Sequence, residues 1–343
     1  MTTVSFKEYL QGVIHNFCTA ENIPCALTND AIVQLISSLA TYKEEGHSLT
    51  PDVFLCENIE IMRQVSASGK ILPIASGTLD ASSIKLALKR CAPLAIGGWA
   101  IYIERNSTDK KISYGLIWTN QNPLSVSTTD VFLDPELDTS IVYATQLSEN
   151  VVLIGGNHGN TKIVSLSPEK DITNPDIPIG NLIDVAASDV VDDIADEVAA
   201  LLKRELQRIL KTNHGTLIAI VKHGNKVPKE ISKGIFLREP LSIVDKAQEF
   251  KKIHDIDSHN ILQSQILLLD GMLSCDGITL LDTAGNIIAY GIFYKSTNDQ
   301  DKEEQIYGGA RKRTYLGLSE LVPNQLKAVL MKSQDGSIEC KVE

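Results

Sequence analysis

The residues best suited to chemistry lie in two short segments near the C-terminus. The first is Asp270-Gly271-Met272, where a carboxylate ends an apolar run. The second is Gly309-Ala310-Arg311-Lys312-Arg313, which continues into Thr314-Tyr315-Leu316-Gly317-Leu318-Ser319-Glu320. Carboxylate oxygens suit Mg²⁺ or Mn²⁺, and guanidinium groups match phosphate oxygens in a bidentate geometry that lysine cannot copy. Together the two segments indicate chemistry on a nucleoside triphosphate.

These residues resemble the diadenylate cyclase (DAC) domain, which joins two ATP molecules into the second messenger cyclic di-AMP. That family shows an Asp-Gly-Ala motif, then Gly-Thr-Arg-His-Arg running into Ala-Leu-Gly-Ile-Ser-Glu. The segment Gly215–Ile220 resembles its first core strand, so the resemblance covers about residues 195–343. The matching positions in this chain are Asp270, Gly271, Gly309, Arg311, Arg313, Leu316, Gly317, Ser319 and Glu320.

The resemblance implies a role for each segment. Asp270 would hold a Mg²⁺ or Mn²⁺ ion that activates the 3′-hydroxyl of one ATP, whose oxygen attacks the α-phosphate of the second and releases pyrophosphate. Arg311 and Arg313 would hold the triphosphate and offset charge in the transition state. The expected catalytic set is Asp270, Gly271, Arg311 and Arg313. The expected phosphate-binding set contains the same two arginines together with Met272, Gly309, Ala310, Lys312, Lys332 and Ser333. Because two ATP molecules react, the resemblance also implies a homo-oligomer with face-to-face DAC domains.

Several positions depart from the family pattern. Lys312 replaces the histidine of Arg-His-Arg, Ala310 replaces the threonine, and Met272 replaces the alanine after Asp-Gly. Leu269 and Ser333 occupy the places of accessory metal ligands that some branches carry. A lysine contacts phosphate as a point charge but does not ligate metal as a neutral imidazole does. Three alternatives remain: an active cyclase, a nucleotide-binding sensor without activity, and a related cyclase with another nucleotide product.

Each candidate also has a purely structural interpretation. Asp270-Gly271 can be a turn, because Asp-Gly is a common turn dipeptide, and Arg311 to Arg313 can be a solvated basic turn. A further glycine-rich stretch, Gly155–Asn160, can cradle an anion through its backbone amides, although a hairpin loop is the favoured interpretation.

Composition narrows the class of protein. A chain of 343 residues favours two domains. The net charge of −11 argues against nonspecific binding to nucleic acid, which requires a basic face. The six cysteines are scattered without a Cys-x-x-Cys pair, which indicates reduced thiols in a cytoplasmic protein. No signal peptide or membrane-spanning run is visible, so no membrane partner is expected.

Periodicity predicts an N-terminal α+β domain with an antiparallel sheet over residues 1–170. The resemblance implies that this domain is a sensor that regulates the DAC-like domain. The predicted elements of the N-terminal domain are helices in the first forty residues and over 82–91, with strands over 94–104, 112–119, 126–132 and 151–155. Prolines and polar residues predict a linker over 171–187.

Residues 188–343 are predicted to form the DAC-like domain, a mixed sheet flanked by helices. Its predicted elements are a leading helix over 188–211, strand 215–222, helix 242–252, strands 272–282 and 286–294, a charged loop over 296–307, a helix starting near Arg313 and strand 326–332.

Overall fold

Two compact units make up the chain: Met1–Asn122 with Val126–Ile172, and Pro123–Ser125 with Thr173–Glu343. The computed structural model describes residues 6–23, 25–66, 68–119, 123–125, 127–166, 174–191, 193–213, 215–295, 309–333 and 336–343. The predicted charged loop over 296–307 lies outside the described residues.

The first unit begins with two helices and then alternates short helices with strands. The helices are α1 (Phe6–Ala20), α2 (Ala26–Leu39), α3 (Ile59–Val65), α4 (Ala81–Cys91) and α5 (Thr128–Phe132), with a 3₁₀ turn at Ala92–Leu94. The strands are β1 (Lys43–Glu44), β2 (His47–Ser48), β3 (Val53–Cys56), β4 (Ile71–Thr78), β5 (Trp99–Asn106), β6 (Lys111–Trp118), β7 (Ile141–Ser148), β8 (Val151–Gly156) and β9 (Thr161–Ser165).

Seven of these strands form one sheet in the order β4-β6-β5-β3-β7-β8-β9. Its neighbouring pairs are antiparallel apart from β3 and β5, which run parallel. Alternate residues of β3 serve two cores: Val53 and Leu55 pack with α1, α2 and α4, whereas Phe54 and Cys56 pack with α3 and α5. The predicted α+β class is therefore confirmed.

One predicted strand of this unit is wrong. Residues 126–132 were expected to be extended because they are rich in β-branched and aromatic residues, but Thr128–Phe132 form α5. The side chain of Ser127 accepts a hydrogen bond from the Thr129 backbone amide at 3.2 Å and caps this helix. A local cap and the burial of Phe132 in the second core outweigh strand propensity here.

The second unit contains five helices and six strands among its described residues. The helices are α6 (Asp176–Ala186), α7 (Ala195–Thr212), α8 (Ile243–Ile253), α9 (Ile256–Ser274) and α10 (Ala310–Glu320), with a 3₁₀ turn at Lys229–Ile231. The strands are β10 (Thr216–Val221), β11 (Ile235–Ser242), β12 (Ile278–Asp282), β13 (Asn286–Ile292), β14 (Ala328–Lys332) and β15 (Ile338–Val342).

The six strands form a mixed sheet in the order β11-β13-β12-β10-β14-β15, as predicted for this half of the chain. Strands β10 and β12 are parallel and the other neighbours are antiparallel. Ile218 and Ile220 share a core with residues of α6, α7, α8 and α9. Leu217 and Ala219 face the opposite side and share a core with α10. The sheet therefore separates α9 from α10.

The predicted linker over 171–187 contains a helix instead. Its prolines suggested an irregular segment, but Pro178 stands in the first turn of α6, where an amide hydrogen has no helical partner to lose. Ile179, Leu182 and Ile183 are buried at helical spacing. The helix predicted over 188–211 accordingly begins only at Ala195.

The strand predicted over 272–282 is also wrong in its first half. Residues 272–274 belong to α9, and β12 begins at Ile278. Leu262, Ile266, Leu269 and Leu273 fall on one helix face and are buried, so the apolar run before Asp270 is the buried face of α9. Asp255 begins the helix by accepting a hydrogen bond from the Ser258 amide at 2.8 Å.

Candidate functional site

The candidate site lies at one end of the mixed sheet. Leu217 of β10 pairs with Ile278 of the parallel strand β12, and Thr216 pairs with Lys332 at the end of β14. The residues just outside these pairs, Gly215 and Gly277, therefore begin their strands at the same end of the sheet, where β14 finishes.

The first turn of α10 comes to this same end. The Arg311 guanidinium lies over the backbone of Gly215, because a Cβ atom built there would be 3.0 Å from Nη1 of Arg311. Gly215 has φ +144°, a value that side-chain-bearing residues rarely adopt. The chain thus leaves room at Gly215 for the arginine, which brings α10 against β10.

The turn that carries the basic residues is open to solvent. Gly309 precedes α10, and its carbonyl accepts hydrogen bonds from the amides of Lys312 at 3.1 Å and Arg313 at 3.2 Å. Gly309, Ala310 and Arg313 are exposed, and Arg311 is half-buried. No carboxylate of the described residues forms an ion pair with Arg311. The first amides and the positive end of the helix dipole suit this turn to an anion.

Lys312 already has an anionic partner. Its Nζ lies 2.5 Å from Oε1 and 2.6 Å from Oε2 of Glu339 on β15, and 5.4 Å from the centre of the Tyr315 ring. Burial, and then the charge of Glu339, raise the pKa of the Tyr315 hydroxyl. The residue that stands in place of the family's histidine is thus held by a carboxylate that the sequence analysis did not identify.

Lys332 and Ser333 serve the local structure of this sheet end. The Lys332 ammonium is buried, donates to the Leu210 carbonyl and lies 2.5 Å from the carbonyl oxygen of Asn213, at the end of α7. Its burial lowers its pKa to about 8. The Ser333 hydroxyl lies 2.7 Å from that of Ser337 in the β14–β15 connection. Lys332 is therefore enclosed by protein, whereas Ser333 lies beside the start of β10.

The structure does not place Asp270 beside Arg311 and Arg313, the arginines with which it was expected to act. Asp270 lies within α9 and accepts a hydrogen bond at 3.3 Å from Arg208 of α7, which also donates to Glu205 at 2.9 Å. Gly271 is exposed on the same helix, and Met272 packs against the core on the α9 side of the sheet. Asp270 and its two neighbours thus belong to the layer opposite α10.

A different Asp-Gly pair stands where the sequence analysis expected one. Asp276 and Gly277 directly precede β12, at the sheet end reached by Arg311. Gly277 has φ +104°, and a Cβ there would lie 2.7 Å from the Ile292 carbonyl oxygen, so the strand start requires glycine. The signal that could have found this pair is its position directly before a short apolar strand and the hairpin turn at Gly285, whereas Asp270-Gly271 are followed by the last residues of α9.

The described residues do not form a preassembled centre for the expected Mg²⁺ or Mn²⁺. No group of three or more His, Cys, Asp or Glu side chains in this part of the chain is arranged to hold a metal ion. The Asp270 carboxylate faces a guanidinium, whose positive charge disfavours a divalent cation beside it. Asp276 is exposed and supplies a single carboxylate.

The opposite end of the sheet carries a second polar cluster. The Nδ1 atom of His223 lies 2.7 Å from the buried carboxylate of Asp282, which also accepts from the amides of Ala284 and Asn286. This hydrogen bond, and then the charge of Asp282, raise the pKa of His223. The cluster shapes the β12–β13 hairpin that the Asp282–Asn286 turn predicts, which is a structural role.

The glycine-rich loop of the first unit does cradle an anion, and the anion belongs to the chain. The Glu21 carboxylate, only 1% exposed, accepts the backbone amides of His158 and Asn160 at 2.9 Å each. A Cβ at Gly156 would lie 2.1 Å from Oε2 of Glu21. Two of the loop amides, those of His158 and Asn160, are therefore occupied by a buried side chain of the chain itself.

No protein-family model, no curated protein and no solved structure shows a significant match to this chain. Among the helices of the described residues, none combines the length and apolar character needed to cross a bilayer.

Proposed function

We propose that the second unit binds the triphosphate of ATP at the first turn of α10 and that the chain condenses two ATP molecules into cyclic di-AMP. One observation carries the proposal: Asp276-Gly277 precede β12 at the same end of the mixed sheet at which Arg311 lies against the start of β10. These two segments are 34 or more residues apart along the chain. This sheet end carries a guanidinium group that suits phosphate and a carboxylate, which are the two elements that the resemblance to the DAC domain requires.

Each of the proposed site residues has a role that follows from its side-chain chemistry. Arg311 and Arg313 bind triphosphate oxygens and offset the charge that develops as the α-phosphate is attacked. Asp276 accepts the proton of the 3′-hydroxyl as general base. The hydroxyl oxygen forms the new bond to the α-phosphorus while the bond to pyrophosphate breaks, and the same step on the second ATP closes the ring.

Two ATP molecules must present their 3′-hydroxyls to each other, and this sheet end offers one arginine turn per chain. The proposal therefore includes a homo-oligomer in which a second copy supplies the second ATP. The first unit would act as the sensor that regulates the reaction.

The test is incubation of the purified protein with ATP and Mn²⁺ or Mg²⁺, followed by mass spectrometry of the products. Cyclic di-AMP should form, and EDTA should stop its formation if a divalent cation is required. Asp276→Asn should lower turnover by about a hundredfold or more, as expected for loss of a general base. Asp270→Asn is measured in parallel, because a loss of turnover in that variant alone would return the catalytic role to Asp270. Absence of both ATP binding and product in the wild type would overturn the proposal.

A second candidate is a nucleotide-binding sensor without activity. The ion pair between Lys312 and Glu339 favours it, because a histidine for metal and phosphate handling is replaced by a lysine held by a carboxylate. This candidate predicts ATP binding by calorimetry with no nucleotide product under either metal condition.

A further inference from the structure

The contact between Lys312 and Glu339 has the form of a phosphate contact. Both carboxylate oxygens of Glu339 lie within hydrogen-bonding distance of Nζ, at 2.5 and 2.6 Å, so one ammonium is shared by two anionic oxygens. Charge-assisted contacts of this kind are the ones that lysine makes with phosphate oxygens. The Glu339 carboxylate thus contacts the Lys312 ammonium as the oxygens of a bound phosphate would.

The carboxylate reaches Lys312 from a fixed position. Glu339 pairs with Met331 in the β14–β15 ladder, one residue before Lys332 at the sheet end. Lys312 follows Arg311 in the first turn of α10. Since the strand pairing holds the backbone of Glu339, its negative charge stays at the edge of the proposed phosphate site whether or not a ligand is present.

We propose that Glu339 is an internal competitor for phosphate at Lys312, and that it sets the affinity of the site for triphosphates. This inference rests on the proposed nucleotide site. The side chains of Lys312 and Glu339 are 31% and 41% exposed, and ion pairs with such access to water are weak, so a ligand with several negative charges can displace the carboxylate. The Tyr315 ring, 5.4 Å from Nζ, keeps the ammonium at the site after Glu339 releases it.

The experiment compares Glu339→Gln with Glu343→Gln by calorimetry. Glu343 directly follows β15 and pairs with Lys327, so each variant removes one negative charge and one ion pair near one end of this strand. Glu339→Gln should bind ATP and inorganic tripolyphosphate about two- to fivefold more tightly than the wild type, the range expected for release of one exposed pair. Adenosine affinity should not change, and Glu343→Gln should match the wild type.

Two further variants test whether the gain passes through Lys312. In the Glu339→Gln background, Lys312→Ala should remove the gain, whereas Glu339→Asp, which keeps the carboxylate, should stay near wild-type affinity. Unchanged or weaker tripolyphosphate binding in a folded Glu339→Gln protein would overturn the inference. That result is distinct from failure of the nucleotide proposal, in which the wild type binds neither ATP nor tripolyphosphate.

Discussion

The ammonium of Lys332 lies 2.5 Å from the carbonyl oxygen of Asn213, so a lysine at the end of β14 closes the C-terminal end of α7. The last carbonyls of a helix lack intrahelical partners, and the buried Lys332 donates to two carbonyls at this end, those of Leu210 and Asn213. The cost is desolvation of the charge, which lowers the pKa of Lys332 from its usual 10.5 to about 8.

The first prediction is a pH-dependent gain in stability from Lys332. Between pH 8 and 10.5 the unfolded chain keeps a proton on this lysine that the folded chain has released, so the free energy of unfolding rises with pH across this window. Below about pH 8 both states are protonated and the cost of burial is constant. The free energy of unfolding is measured in urea at pH 7.5 and at pH 10. It should not rise between these values in Lys332→Met, whereas it should rise in the control variant Lys327→Met, which removes the lysine of the ion pair with Glu343. Parallel pH profiles for wild type and Lys332→Met would contradict the assignment.

The second prediction concerns the proposed phosphate contact of Arg311. Removing a charge-assisted contact should cost about 1.5–3 kcal/mol of ATP binding, or roughly ten- to a hundredfold in affinity, in Arg311→Ala. Arg311→Lys should recover only part of it, because an ammonium lacks the bidentate fork. Arg313→Ala should weaken binding in the same direction. Calorimetry would measure each variant beside Arg63→Ala, which breaks an exposed pair with Glu60 in the first unit. If ATP affinity is unchanged in both Arg311→Ala and Arg313→Ala, the first turn of α10 is a solvated surface turn and not a phosphate site.

The third prediction contrasts two helical glycines. Nothing lies within 4 Å of a Cβ built at Gly271 on α9, so Gly271→Ala should stabilise the protein by about 0.5–1 kcal/mol. A Cβ at Gly317 on α10 would lie 2.7 Å from the Tyr294 ring, so Gly317→Ala should destabilise it by about 1–3 kcal/mol. Urea unfolding measures both. A destabilised Gly271→Ala would show that residues 270–272 are not in the helix described here.

The fourth prediction concerns the buried carboxylate of the first unit. The Glu21 carboxylate accepts several hydrogen bonds, including one from the Asn160 side-chain amide at 2.7 Å. Glu21→Gln turns an NH₂ group toward them and should lower the free energy of unfolding by about 1–3 kcal/mol. Glu149→Gln is the matched control, since the side chain of Glu149 is 64% exposed and its pair with Lys43 should contribute little. Equal stability of the two variants would mean that the loop does not depend on the Glu21 charge.

The sequence predicted those helices and strands whose periodicity or turn residues are evident within a few neighbouring residues. Helix α7, the apolar strand β10 and strand β13 were all predicted near their observed positions. Helices α6 and α9 were not predicted, because their local sequence signals do not specify a helix. Their local signals, prolines and an apolar run, are equally compatible with a linker and a strand, and only burial against the sheet selects the helix.

The sequence by itself determined the class of the fold and placed a basic turn at the start of α10, because periodicity, turn residues and charge act over a few residues. Tertiary structure decided the partners. Lys312 meets Glu339 across 27 residues, Arg208 meets Asp270 across 62, and Lys332 meets Asn213 across 119. Strand order and helix packing also decided that Asp276 lies at the start of β12, at the sheet end reached by Arg311, whereas Asp270 lies in α9 on the other face of the sheet. Such contacts depend on which strands are neighbours and which face each helix covers, and no spacing along the chain encodes these directly.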